Sequence, residues 1–322
     1  MLSIIATVCA STLAFTVIAE EQRDGYSCQK IEYTLPESDP IRAYLLIPDA
    51  ARQGEQCPAV LCLHEHAGLF YAGKEKLVRS MEGEDEDVRR SADKWVGEAY
   101  DGVYFGDRLA SLGYVVIAPD MYYWGERCPD RKKGLKEDKL KLVEGQKAVY
   151  DSLLAQPRSE NWAEKTLRED LYAAQLLASL NFVDKSRIGV FGFSMGAHRA
   201  WMLAAREPKV KTGVFLCWMM LKSYCVTPPK QAYYPIMIPE LREKYDFPDV
   251  ALALRSRPFL FINATRDEFF PCEAAGKAFA IMQDYYKEAG AQGRLATEFF
   301  EGPHSCPLPV QERIIDYLAN NL

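Results

Sequence analysis

The stretch Arg187-Ile-Gly-Val-Phe-Gly-Phe-Ser-Met-Gly-Ala-His198 decides how this chain is read. Ile188 to Phe191 is an apolar run of strand length, Gly192-Phe-Ser-Met-Gly196 follows, and an amphipathic helix begins at Met195. Glycine two places before and two places after a serine suits a turn so tight that a Cβ at either flank would strike neighbouring backbone. The serine at the tip is then strained and exposed. The helix behind it aims N–H groups and the positive end of its dipole at any oxyanion formed there. Gly-x-Ser-x-Gly alone recurs by chance; the strand before it and the helix after it give the motif its weight.

Working outward, Ala59–Leu63, Tyr114–Ala118, Val210–Cys217, Pro258–Asn263 and Ala296–Phe300 read as strands, the first two as continuous apolar runs buried on both faces. Helices are expected over Phe105–Leu112 (stopped by Gly113), Glu164–Leu180, the elbow helix to Ala205, Cys272–Glu288 and Val310–Leu322. Alternating strands and helices predict right-handed parallel crossovers in an α/β fold. Gln29–Tyr33 and Ile41–Ile47 read as two further strands around a Pro-rich turn. Residues 20–322 form a single domain in this reading, with inserts near 68–100, 121–160 and 218–255. Lys74 to Lys94, strongly charged, reads as a solvated loop or surface helix. Tyr233-Tyr-Pro-Ile-Met-Ile-Pro239 suits either a pocket wall or packing onto the sheet.

Leu2 to Ala19 is an uncharged apolar run followed at once by Glu20-Glu21. It reads as a signal peptide of residues 1–19 cleaved after Ala19, or as an uncleaved membrane anchor, since no Lys or Arg precedes it. Either way the chain is expected to be exported, periplasmic or secreted. Removing Cys9 with that segment leaves eight of the nine cysteines, an even number that permits disulfides. Cys272 and Cys306, each near a proposed site loop, are the first pair to test. A net charge of −6 with mixed signs argues against a nucleic-acid binder.

A serine hydroxyl needs a base to take its proton, and the base works best when a carboxylate holds it. The loop after Asn263 carries Asp267, with Glu268 adjacent, and the loop after Phe300 carries His304. Ligands and reacting groups collect at the carboxyl ends of strands in open α/β sheets. Of the four histidines, His198 lies on the elbow helix and reads as structural, while His64 and His66 precede the serine in another loop. The catalytic set is therefore Ser194, His304 and Asp267. The oxyanion donors are assigned to the backbone N–H groups of Met195 and His66, with Glu65 as the alternate. His64-x-His66 as a metal pair is the rival, but no carboxylate stands at ligand spacing; neither metal nor cofactor is expected.

Gly192-Phe-Ser-Met-Gly196, Asp267 with Pro271 four places on, and Gly302-Pro-His304 resemble the nucleophile, acid and base motifs of the α/β-hydrolase superfamily. The resemblance covers the whole chain after residue 19. It implies a mostly parallel central sheet with helices on both faces and insertions at the carboxyl ends of strands. His64-Glu-His66 falls where many members carry His-Gly-x. Ala118-Pro-Asp-Met-Tyr-Tyr-Trp-Gly-Glu-Arg127 is similar to a turn of dienelactone-hydrolase-like and acetyl-xylan-esterase-like proteins. Dienelactone hydrolases use a cysteine nucleophile, whereas this chain has Ser194. The resemblance thus implies a serine esterase acting on a small-molecule or carbohydrate ester, and the N-terminal run adds export. A lactonase or a serine peptidase on the same fold is the alternative, and a non-catalytic binding protein a third reading.

Overall fold

The computed structural model describes residues 13–129 other than 37, together with 131, 144, 148, 162–224 and 239–322. Among the described residues nine strands form one sheet: β1 (Thr16–Arg23), β2 (Tyr26–Tyr33), β3 (Ile41–Pro48), β4 (Cys57–Leu63), β5 (Val115–Pro119), β6 (Val183–Phe193), β7 (Thr212–Leu216), β8 (Phe259–Ala264) and β9 (Leu295–Phe300). Their spatial order is β1-β2-β3-β5-β4-β6-β7-β8-β9. The first three strands pair antiparallel, as β3 does with β5, and everything from β5 to β9 is parallel. The flanking helices are α1 (Glu86–Ala99), α2 (Phe105–Ser111), α3 (Trp162–Ser179), α4 (Met195–Arg206), α5 (Cys272–Glu288) and α6 (Leu308–Asn321).

The apolar runs are continuous because both faces of the sheet are covered. On β4, Ala59, Leu61 and Leu63 pack with α3, α4 and α5 in one core, while Val60 and Cys62 join α1, α2 and α6 in the other. Side chains alternate across a strand, so a doubly covered strand needs an apolar residue at every position. Gly113, at φ +92°, ends α2 in a left-handed conformation open to glycine at little cost.

Four expectations change. First, β1 continues the sheet through Thr16–Arg23, so the expected cleavage point at Ala19 lies inside a strand. Both halves pair with β2, Thr16 and Val17 with Glu32 and Ile31, and Glu20 to Arg23 with Gln29 to Tyr26, while buried Arg23 bonds Asp107 at 2.6 Å. Second, Cys272 and Cys306 do not pair; the seven described cysteines are all free, and Cys306 is instead buried, its N–H on the Ala99 carbonyl. Third, the charged stretch from Lys74 is not solvated at its start, where Lys74, Glu75 and Lys76 are 0, 1 and 0 % exposed. The Lys74 ammonium sits among the carboxylates of Glu75 (2.9 Å), Asp120 (2.9 Å) and Glu126 (2.8 Å). Burial alone would drive that ammonium toward neutrality; Asp120, Glu75 and Glu126 more than offset it and keep it protonated. Only from Glu86 does the stretch become the surface helix α1. Fourth, Ser194 is 5 % exposed rather than open to solvent. Tyr233–Ile238 and most of the 121–160 insert lie outside the described residues.

Candidate active site

The elbow depends on its two glycines. A Cβ on Gly192 would lie 2.1 Å from the Gly196 carbonyl oxygen, and one on Gly196 would lie 1.9 Å from the Leu63 oxygen. No side chain fits at those distances, so the first turn of α4 is pressed against the end of β4. Ser194 joins β6 to α4 at φ 54°, ψ −124°, and its N–H is held by the Leu216 carbonyl at 2.8 Å. Its hydroxyl has no hydrogen-bond partner among the described residues. Among the described residues, four of the five non-glycine residues at positive φ stand just beyond parallel strands: Ala67 after β4, Tyr123 after β5, Ser194 after β6 and Cys217 after β7. Such strain persists where the surroundings over-determine a conformation, and it gathers here along one edge of the sheet.

Asp267 and His304, from the loops after β8 and β9, meet. His304 Nδ1 lies 2.7 Å from Asp267 Oδ2. Asp267 Oδ1 accepts the N–H groups of Phe269 and Phe270 at 2.8 and 2.9 Å, so the carboxylate is fixed on both oxygens. Glu268 points to solvent, which separates the two adjacent acids. The imidazole is walled by Phe193 (4.8 Å between ring centroids), Phe269 (5.2 Å) and Phe270 (5.7 Å). Phe193 directly precedes the serine. With Nδ1–H given to the carboxylate, the lone pair resides on Nε2, as a base needs.

The remaining histidines do other work. His198 is fully buried, stacked 4.2 Å from Trp218, and neither ring nitrogen has a hydrogen-bond partner among the described residues. Burial pulls it down to about 3, so it stays neutral. His64 Nε2 accepts the Met121 N–H at 3.1 Å, which leaves Nδ1–H to bond the Glu65 carbonyl at 2.9 Å. Both nitrogens of His64 are thus occupied by backbone, and it does not form a metal pair with His66. Burial, with Lys76 and Arg199 nearby, holds it well below its usual value.

The loop after β4 is built around the side chains of Glu65, which the sequence offered only as an alternate backbone donor, and Lys76, which it read as solvated. Glu65, 1 % exposed, receives the Trp95 indole N–H and the Tyr100 hydroxyl, at 2.9 Å for the latter. Lys76, wholly buried, donates to the Glu65 carbonyl at 2.9 Å and the His66 carbonyl at 3.0 Å. The His66 ring packs on Phe70 and Trp124, and these belong to one aromatic cluster with Met195. The two residues expected to offer oxyanion N–H groups therefore border the same cluster.

Two ion pairs brace this edge from α3. Arg127, of the Gly-Glu-Arg turn, is bidentate to Glu169 at 2.6 and 2.8 Å, and Arg199 of α4 is bidentate to Asp170 at 3.0 and 2.6 Å. Cys217 was also not anticipated. Its sulfur lies with the ligand atoms of Asp267 and His304 in a group no more than 4.8 Å across. Burial, reinforced by the Asp267 charge, keeps that thiol protonated.

The sequence model of the dienelactone hydrolase family matches residues 92–287. The Bacillus subtilis (strain 168) protein YtaP, named as a hydrolase, is 28% identical over 243 residues, which is 73% of this chain and 69% of YtaP. Among solved structures, a Bacteroides fragilis protein described as an acetyl xylan esterase superposes with a TM-score of 0.67 at 20% identity, covering 89% of this chain and 69% of its own. A glucuronoyl esterase from Solibacter usitatus gives 0.66 at 12% identity, covering 96% and 86%. At those identities the two structures speak for the fold.

Proposed function

The chain belongs to the dienelactone hydrolase family and is a carboxylic ester hydrolase; we propose that it works as a serine esterase through Ser194, His304 and Asp267. The observation that carries this reading is the 2.7 Å contact between His304 Nδ1 and Asp267 Oδ2, made by an imidazole packed on the residue preceding a strained serine. His304 Nε2 takes the hydroxyl proton as Ser194 Oγ attacks the ester carbonyl. Asp267 keeps the imidazole in the correct tautomer and stabilises the imidazolium. The oxyanion is bound by the N–H of Met195, at the start of α4, and by that of His66. His304 then protonates the leaving alcohol, and water activated by the same imidazole releases the acid from the acyl-enzyme.

Acylated carbohydrate is the substrate class we favour. It is supported by the likeness to structures described as acetyl xylan and glucuronoyl esterases. Export is part of the proposal. Cleavage after Ala19 leaves Glu20 to Arg23 to pair with β2, and N-terminal sequencing of the protein from its native host tests it.

The chemistry is tested by fluorophosphonate labelling and turnover of p-nitrophenyl acetate, followed by a panel of sugar acetates, lactones and feruloyl esters. Wild type labels and turns over, and Ser194→Ala does neither. A Ser194→Ala protein that retains both activities removes the serine from the mechanism.

A further inference from the structure

We propose that Lys76 is a positioning residue for ester hydrolysis: its buried ammonium holds the Glu65 and His66 carbonyls so that the N–H groups of His66 and Ala67 face the acyl oxygen. The proposal rests on the serine-esterase reading above.

A planar trans peptide points its N–H opposite to its C=O. The Glu65 carbonyl shares a peptide with the His66 N–H, and the His66 carbonyl shares one with the Ala67 N–H. Both carbonyls are drawn to one nitrogen, Lys76 Nζ, at 2.9 and 3.0 Å. Both N–H groups are therefore turned to the side of the loop away from Lys76. Two further donors pull the same way, His64 Nδ1 on the Glu65 oxygen at 2.9 Å and Trp124 Nε1 on the His66 oxygen at 3.3 Å. Ala67 adopts φ 54°, a conformation that a free loop would relax.

Glu65 explains why a lysine is needed. Its side chain is anchored inward on Trp95 and Tyr100, so the loop is pinned at the carboxylate, and the backbone orientation is then set by what its carbonyls meet. A charged donor behind a peptide also polarises it, which strengthens the N–H on the opposite side. An oxyanion hole gains from donors fixed before charge develops, because no reorganisation is then required. Lys76 never touches substrate; it acts through the two peptides.

The groups facing Lys76 set its charge. Burial pulls the ammonium down to about 8; the carboxylates of Glu65, Glu75 and Asp120 oppose this, and Arg199 adds to it. His64, also close, is held neutral. The ammonium is thus present at neutral pH and lost in mild alkali.

The test compares wild type with Lys76→Met, which keeps the length of the side chain and removes charge and donors, and Lys76→Gln, which keeps a donor without charge. Turnover of p-nitrophenyl acetate is expressed per active site, counted by complete fluorophosphonate titration. Lys76→Met is expected to lose about tenfold to a hundredfold in kcat with KM within about threefold, somewhat less than deletion of an oxyanion donor. Inhibition by a trifluoromethyl ketone, which forms the tetrahedral adduct, weakens in parallel, and Lys76→Gln falls between the two. A merely structural lysine would lower the number of titratable sites and leave kcat per site intact; kcat per site within twofold of wild type overturns the proposal. If Lys76→Met yields no titratable sites, wild type decides. Its kcat falls and the ketone weakens together as pH rises through about 8, and a flat profile across that range overturns the proposal. Wild type that does not label, or an active Ser194→Ala, would instead sink the esterase reading itself.

Discussion

Replacing His198 by phenylalanine makes the protein more tolerant of acid, by an amount that follows from where the imidazole sits. His198 is 0 % exposed, faces Trp218 at 4.2 Å with the rings within 5° of parallel, and has no partner for either nitrogen among the described residues. Burial holds it at about 3 in the folded protein, against 6.5 in the unfolded chain. The folded value is depressed, so the unfolded state binds the proton more tightly. Stability is lost as pH falls below 6.5 and goes on falling until about 3. Each pH unit in that window costs about 1.4 kcal/mol, so the penalty at pH 5 is roughly 2 kcal/mol. Phenylalanine preserves the stacked ring and abolishes the titration. Whatever it does to packing is common to all pH values, and the contribution of His64, present in both proteins, cancels. Urea unfolding followed by circular dichroism at pH 7.5 and pH 5 should therefore show His198→Phe gaining about 2 kcal/mol more, relative to wild type, at the lower pH. Equal differences at the two pH values, within about 0.5 kcal/mol, would mean that the imidazole finds a proton acceptor or solvent in the folded protein.

Other perturbations read different parts of the structure. Asp267→Asn leaves the geometry nearly unchanged but presents the wrong hydrogen-bonding face to His304; kcat should fall by about 10⁴ with little change in KM, and a loss under tenfold would deny Asp267 its role. Gly196→Ala drives a methyl group into the Leu63 carbonyl and should cost about 3 kcal/mol or more in urea unfolding, with loss of fluorophosphonate labelling. Gly97→Ala is the contrasting case: it lies in α1 with nothing within 4 Å of the added carbon, and a gain of about 0.5 to 1 kcal/mol is expected in the same measurement.

The elements that sequence made legible are those whose cause is local or periodic. Ala59–Leu63 announces a doubly covered strand because every residue is apolar, and Gly192 and Gly196 announce the elbow because the turn leaves room for nothing else. Asp267 and His304 could be named because strand ends in such sheets converge, although their 2.7 Å contact spans 37 residues of sequence. What stayed hidden depends on partners far along the chain. Lys74 reads as a surface charge until Asp120 and Glu126, 46 and 52 residues on, are seen around it. β1 was masked by its own composition: Val17 and Ile18 are exposed on an outer strand, so its apolar half resembles the tail of a leader and its polar half a loop. The Cys272–Cys306 pairing failed because proximity to two converging loops does not bring two sulfurs together. Cys306 is drawn under α1 by the Ala99 carbonyl instead. The His66 assignment could not be argued beyond position, since the orientation of its peptide is set by Lys76, a residue that reads as solvated.

The Lys74 ammonium stands where three carboxylates would otherwise cage a divalent cation. Such an ion binds and leaves, and the segments it joins inherit its exchange rate and its dependence on supply. A charge carried on the chain does neither. The loop from Gly73 to Lys76, which also presents Lys76 to the peptides after β4, is therefore cross-linked to the end of β5 by a tether with no off-rate of its own. Burial disfavours that ammonium, but its three carboxylates keep it protonated, so the tether does not depend on pH near neutrality.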